Sequence, residues 1–222
     1  MNFKVIFQLD GCGIYYDPNE PIHLDALLAW ALAPMQTQER CLLRSDTPDD
    51  IQLPLLRSTI NGSQVWHASA LFPEQPGVET LRFWRKKFRQ DRLHLTKGSP
   101  NLTNGIYREY NMPVPLLLVP QMIAYASGNC KEVKRILKKH IKSLGKKRSY
   151  GYGKVVSVEC EEIAEDWSLV ADGVVMRWLP HPDGVRQVRP APPYWNTCGA
   201  VANLEVGATC NNVLQRSEKG GV

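Results

Sequence analysis

The segment from Leu144 to Val155, Leu-Gly-Lys-Lys-Arg-Ser-Tyr-Gly-Tyr-Gly-Lys-Val, constrains this chain more than any other. It joins a basic helical pattern to a β-branched one through a loop built of glycine, tyrosine and cations. Gly145, Gly151 and Gly153 permit positive φ and let another backbone approach where a Cβ would stand in the way. Lys146, Lys147, Arg148 and Lys154 neutralise phosphates; beyond Ser149, Tyr150 and Tyr152 offer flat faces to bases. A loop of this make-up suits single-stranded RNA better than a compact metabolite.

The flanking patterns strengthen that reading. From Cys130 to Leu144, the residues Val133, Ile136, Leu137, Ile141 and Leu144 recur at helical spacing on one face. The other face carries Lys131, Lys134, Arg135, Lys138, Lys139 and Lys142 against one acid, Glu132. Gly145 stands where a C-cap glycine belongs, and cations crowd the last turn, where the helix dipole favours them. After the loop, the run from Lys154 to Glu162 is β-branched and then acidic, and reads as a strand. A cationic helix face alone is compatible with plain solvated surface. Its continuity with the loop argues for a binding surface.

The net charge of +5 understates how unevenly the cations are spread. Residues 82–97 hold seven cations and one acid, and residues 129–148 hold nine and one. Clustering of this kind is the footprint expected for a polyanionic partner. The 222 residues suffice for a substantial core. The cysteines at 12, 41, 130, 160, 198 and 210 form no C-x-x-C pair, which favours free thiols in a reducing cytoplasm. Met1–Asp10 turns polar too soon for a signal peptide. The apolar stretch from Met112 to Ala126 is broken by Pro113, Pro115 and Pro120, so no membrane partner is expected.

Phe3, Val5, Phe7 and Leu9 alternate as a first strand, a turn-rich linker follows, and a helix is expected from His23 to Ala33, ended by Pro34. Residues 36–52 read as a loop. Leu53–Ile60 and Gln64–Leu71 form two candidate strands joined by Asn61-Gly62, a strong hairpin dipeptide. A basic insert occupies about 81–105. Within it Phe83, Trp84 and Phe88 interleave with Arg85, Lys86, Lys87, Arg89 and Arg92. Two readings stay open: the aromatics stack on bases while the cations hold the backbone, or Trp84 and Phe88 pack at i, i+4 as helical core. The apolar run Val114–Tyr125 leads into the basic helix, and Val174–Leu179 offers one more strand. The order β-α-β-β-insert-α-β is that of a ferredoxin-like α+β domain over residues 1–180. Beyond Pro180, a proline-rich stretch predicts an extended arm across Arg189–Trp195 and a mobile tail to Val222.

A helix ending in glycine, then basic residues and a Gly-aromatic-Gly turn into a strand, resembles the glycine-rich loop of the CRISPR-associated RAMP superfamily, whose members are RRM-like. With the N-terminal run Pro21–Ala31 and the segment Arg189–Trp195, the chain resembles the type IV CRISPR effector subunit that caps the 5′ handle of the guide RNA. The resemblance implies guide RNA, the backbone and large subunits of an effector complex, and target DNA as partners. It makes the basic insert the counterpart of a projecting thumb on the guide RNA. The expected RNA-binding residues are therefore Lys134, Lys138, Lys142 and Gly145 through Gly153, with Arg85, Lys86, Lys87, Arg89 and Arg92 from the insert.

Some RAMP relatives are metal-independent ribonucleases, so His23, His67, His94, His140 and His181 matter. Such cleavage needs a base for the 2′-OH and cationic stabilisation of the transition state. None of the five has a neighbour in sequence that would fix its tautomer. No phosphate-binding loop, zinc helix or nucleophile elbow is present. The paired acids Asp49-Asp50 and Glu161-Glu162 point apart in an extended chain, so neither a metal nor any other cofactor is expected. The sequence thus predicts a non-catalytic RNA-binding subunit, with a precursor-processing endoribonuclease as the alternative and a basic scaffold protein as a third.

Overall fold

A computed structural model describes residues 1–36, 51–89, 91, 94, 98–194 and 196–209. In chain order the elements are β1 (Asn2–Leu9), α1 (Leu24–Gln36), β2 (Arg57–Ile60), β3 (Ser63–Trp66), β4 (Phe72–Pro73), β5 (Val78–Lys86), β6 (Tyr110–Leu118), β7 (Gln121–Ser127), α2 (Cys130–His140), β8 (Val155–Ile163), β9 (Val170–Ala171), β10 (Val174–Val175), β11 (Leu179–Pro180), β12 (Arg186–Val188) and β13 (Val201–Leu204). Much of the predicted loop at 36–52, together with Arg92, Trp195 and the tail from Cys210, lies outside the described residues.

Four strands form an antiparallel sheet in the order β4-β7-β1-β8. Phe3, Val5 and Phe7 stand opposite Ala126, Ala124 and Met122, and all six are buried with the inner faces of both helices. That alternation is what period-two patterning predicts, and it fixes the register because a slip of one residue would expose the whole set. The result is an α+β arrangement whose β1-α1-β4-β7-α2-β8 order is compatible with a ferredoxin-like fold.

The second and third strands of this sheet are not the ones expected. The Asn61-Gly62 hairpin does form, with both turn residues at positive φ (47° and 76°), but it pairs only with itself as β2 and β3. The sheet instead takes the short β4 and β7. Between them the chain runs out and back as a long two-stranded hairpin, β5 with β6, in register from Val78↔Leu118 to Lys86↔Tyr110. The predicted single run Val114–Tyr125 is thereby cut at Val119-Pro120 into strands of two different sheets. Pro34 does not end α1; near a C-terminus, a missing N–H forgoes only one helical bond.

Beyond Pro180 the chain is not simply an extended arm. β11, β13 and β12 make a small sheet over a second core of Val65, Leu169, Val175 and Leu179. Arg177, fully buried, joins this unit to the main core. Its guanidinium donates to the carbonyls of Trp66, Ala68 (3.1 Å) and Pro190 (2.9 Å), to Asp25 Oδ2 (3.1 Å) and to the Tyr194 hydroxyl (2.6 Å). Tyr194 in turn donates to the same Asp25 oxygen at 2.7 Å. Burial alone would weaken the Arg177 cation, but Asp25 and Tyr194 hold its pKa above the usual value. A buried pair broken on one side leaves an uncompensated charge. Arg177→Ala is therefore expected to lower stability by about 3–5 kcal/mol, and Tyr194→Phe by about 1–3 kcal/mol, both read as shifts of the urea midpoint at constant slope.

Candidate nucleic-acid interface

The glycine-rich loop is held by backbone contacts that its sequence does not reveal. Helix α2 ends at His140, with Ile141 extended, so Gly145 is not its C-cap. At Gly145 (φ +77°) a Cβ would lie 2.6 Å from the carbonyl oxygen of Tyr15, and at Gly153 (φ +64°) 2.0 Å from that of Leu144. Gly153 donates its N–H to Gly13 O at 2.8 Å, and Leu144 donates to Gly153 O at 2.8 Å. These two glycines thus make room for the protein's own backbone. Gly151 differs: at φ +87° it ends a 3-10 turn over Arg148–Tyr150, and nothing lies within 4 Å of its Cβ position. It is the glycine whose open side faces solvent.

The segment that clamps the loop also clamps the inserted hairpin. Ile14 exchanges two backbone hydrogen bonds with Leu117 of β6, each 2.9 Å, while its neighbours Gly13 and Tyr15 meet the loop. Side chains complete the junction. Trp84 on β5 donates its indole N–H to the Tyr150 hydroxyl, and its ring tilts against Tyr110 at 4.6 Å. Lys147 lies 3.2 Å from the centre of the Trp84 ring, with its own backbone left-handed (φ +59°) at the start of the turn. Arg148 turns the other way, toward the exposed Trp30 of α1 at 5.6 Å, and Lys146 lies 5.3 Å from the Tyr15 ring and 3.2 Å from Glu20. Loop and hairpin, joined by Trp84 and Tyr150 from 66 residues apart in sequence, are one surface.

The chain matches the model of the family described as CRISPR type IV associated protein Csf3 in two segments, residues 1–101 and 94–205. It belongs to that family. It is therefore a type IV CRISPR-associated subunit. No curated protein matches the chain.

In this Csf3-family member the predicted residues fall into three groups. The loop set from Gly145 to Gly153 is together, with Lys147, Arg148 and Tyr150 at its face and Gly153 buried beneath. On α2, Asn129 caps the first turn by accepting from Glu132 N at 3.2 Å; Lys138 is exposed on the helix and Lys142 just beyond its end. Lys142 also donates to the Lys138 carbonyl at 2.8 Å, at the end of the helix. The third group is divided. The insert is a strand rather than a helix there, so Arg85 and Lys86 lie on opposite faces, and Lys86 shares the Trp84 face. Arg85 bonds Asn111 at 2.9 Å, and Arg89 is paired with Asp91 at 2.9 Å. The i, i+4 reading of Trp84 and Phe88 fails for the same reason. Trp30 and Tyr110 are additions to the expected set. The legible signal for Trp30 is its place off the Leu24-Leu28-Ala31 stripe of α1.

His140 is the last residue of α2 and His94 is an exposed residue of the insert; the other histidines lie elsewhere. His23 is 2% exposed, packed between Trp178 (4.5 Å) and Tyr194 (4.9 Å), with no hydrogen-bond partner at either ring nitrogen among the described residues. Burial, with Arg177 and Arg186 nearby, pushes its pKa well down, so the ring stays neutral. His67 has the partners that its sequence neighbourhood lacked: Ser58 Oγ at 2.9 Å from Nε2 and Asp166 Oδ2 at 3.2 Å from Nδ1. Burial alone would raise the Asp166 pKa, but hydrogen bonds from His67, Ser168 and Ser127 hold it far below the carboxylate range. Ser58, His67 and Asp166 stand in the order of a hydrolytic triad. Yet Ser58 sits in the regular β2–β3 ladder opposite Val65, not on the strained turn such a nucleophile occupies. The trio lies by Ser127, at the far end of β1 from the loop. Among the described residues no cluster of His, Cys, Asp and Glu could hold a metal ion, and no helix is long and apolar enough to cross a membrane.

The two kinds of glycine should separate experimentally. Gly153→Ala forces a Cβ into a backbone carbonyl and is expected to cost about 2 kcal/mol or more, seen as a lowered melting temperature. Gly151→Ala meets no atom and is expected to cost about 1 kcal/mol for the left-handed backbone, leaving a fully folded circular-dichroism spectrum.

Proposed function

We propose that this chain is the RNA-binding subunit that grips the 5′ repeat-derived handle of the guide RNA in a type IV effector ribonucleoprotein. In this reading it is a RAMP domain that caps the filament of backbone subunits, touches the large subunit and reaches target DNA beside the guide–target duplex. The observation that carries the reading is the junction of the glycine-rich loop with the inserted hairpin. Two basic, aromatic elements meet through Lys147, Trp84 and Tyr150, and the loop follows directly on the basic helix α2. Cations for phosphates and rings for bases are the two components that single-stranded nucleic acid requires. Membership of the Csf3 family and the compatible sheet order support the same reading.

Filter binding of repeat-derived RNA across a salt series tests it. Charge reversal at Lys134, Lys138 and Lys142 together is expected to weaken binding and to flatten the plot of log K against log salt, by about 0.7 for each phosphate that is no longer neutralised. An unchanged slope would make that face solvated surface only.

The reading assigns the chain no catalytic step. A cleaving subunit needs a base beside the bound 2′-OH, whereas His67 is engaged at both nitrogens and lies away from the loop, and His23 is sealed in the core. RNA ends sequenced after expression of the effector set without its dedicated nuclease should be the same for the wild type and for His67→Ala. The variant's cost should appear as a lower melting temperature, since the Asp166 and Ser58 bonds are removed. Mature 5′ ends present in the wild type and absent in the variant would make the chain a nuclease.

A further inference from the structure

Lys147 and Arg148 are consecutive, yet they diverge toward two tryptophans from different elements, and the two rings are not equivalent. Trp84 is already engaged: Lys147 covers its face, Tyr110 and Tyr150 pack against it, and its N–H is bonded. Trp30 is 57% exposed on α1; among the described residues its ring makes no aromatic pair, and the Arg148 guanidinium lies over it at 5.6 Å. Arg148 makes no ion pair among the described residues, so its charge is available to a ligand. Beside this pair the Gly151 position is open, so a backbone can come close.

We infer that Trp30 and Arg148 form a base-binding slot, in which one unpaired base of single-stranded RNA stacks on the Trp30 ring with the Arg148 guanidinium beside it and its phosphate. The inference rests on the RNA-binding reading above and adds a residue outside the loop, the helix and the hairpin. The charge of the surroundings selects this occupant: the Arg148 guanidinium lies beside the exposed Trp30 ring, and it belongs to a loop that also carries Lys146 and Lys147, a pairing of flat ring and cation that matches a nucleotide. Trp84, with its faces occupied, orients Tyr150 and Lys147. Trp30 takes the base.

Stacking and phosphate contacts differ in their salt response, and the test uses that difference. The full chain is titrated with labelled repeat-derived RNA and with oligouridylate over a salt series. Base–aromatic stacking corresponds to a drop of about 5- to 150-fold in affinity on truncation, so Trp30→Ala should weaken binding by that order with the salt slope unchanged. Trp30→Phe should recover most of the affinity. Arg148→Ala should weaken binding and also flatten the slope. RNA carrying 5-iodouridine should photocrosslink to the peptide holding Trp30. If the wild type binds RNA and Trp30→Ala binds equally well, the slot is refuted while the RNA-binding reading stands. If that variant instead fails to capture the other effector subunits, Trp30 is a protein contact and the inference is wrong. If the wild type binds neither RNA, both readings fall together. Because Trp30 is exposed, circular dichroism should show each variant folded.

Discussion

A guanidinium with no access to water governs how this molecule holds together. Removing a cation from water is costly, and the cost is offset only when nearly every donor finds an acceptor in good geometry. Arg177 meets that demand by recruiting groups from four places: the end of β3, the first turn of α1, the residue next to it and the segment around Pro190 and Tyr194. The C-terminal unit cannot be separated from the main sheet without stranding this charge. Asp25 is the first acid of α1, so the same interaction also fixes the start of the helix that carries Trp30.

The dependence extends from core to surface through short backbone straps. β1 and β7 set the sheet, α1 and α2 cover it, and residues 13–15 bind the glycine-rich loop on one side and β6 on the other. A hairpin of two strands is marginal alone, and here its root is secured by Ile14 and its outer part by Trp84 against Tyr150. The aromatic side chains at this junction are therefore structural and electrostatic at once: they seat the hairpin and orient the cations.

What was legible in the sequence was local. The alternation of β1, the amphipathic face of α2, the strand after the loop and the Asn61-Gly62 turn each follow from a pattern within a dozen residues, and each appears within a few residues of its expected place. What was hidden depended on distant partners. One of the two readings of Trp84 and Phe88 was helical, because aromatics four apart fit a helix, while the pairing that makes β5 a strand comes from residues 110–118. Gly145 and Gly153 looked like ligand-facing glycines because the backbones they accommodate belong in part to residues 13–15. Tyr194 read as part of a surface arm because nothing near it in sequence announces Arg177 and Asp25. His67 lacked sequence neighbours for the same reason, its acid being Asp166.

The clamped loop has a consequence for what kind of recognition is open to it. Its conformation is set before any ligand arrives, by hydrogen bonds to Gly13 and Leu144 and by two carbonyls that leave no space for rearrangement. The order is already built into the fold, so association need not freeze this segment. A rigid template cannot adapt to its strand. Under the RNA-binding proposal the strand would have to bend to the template, and selectivity would then fall on how readily a given sequence adopts the imposed curve.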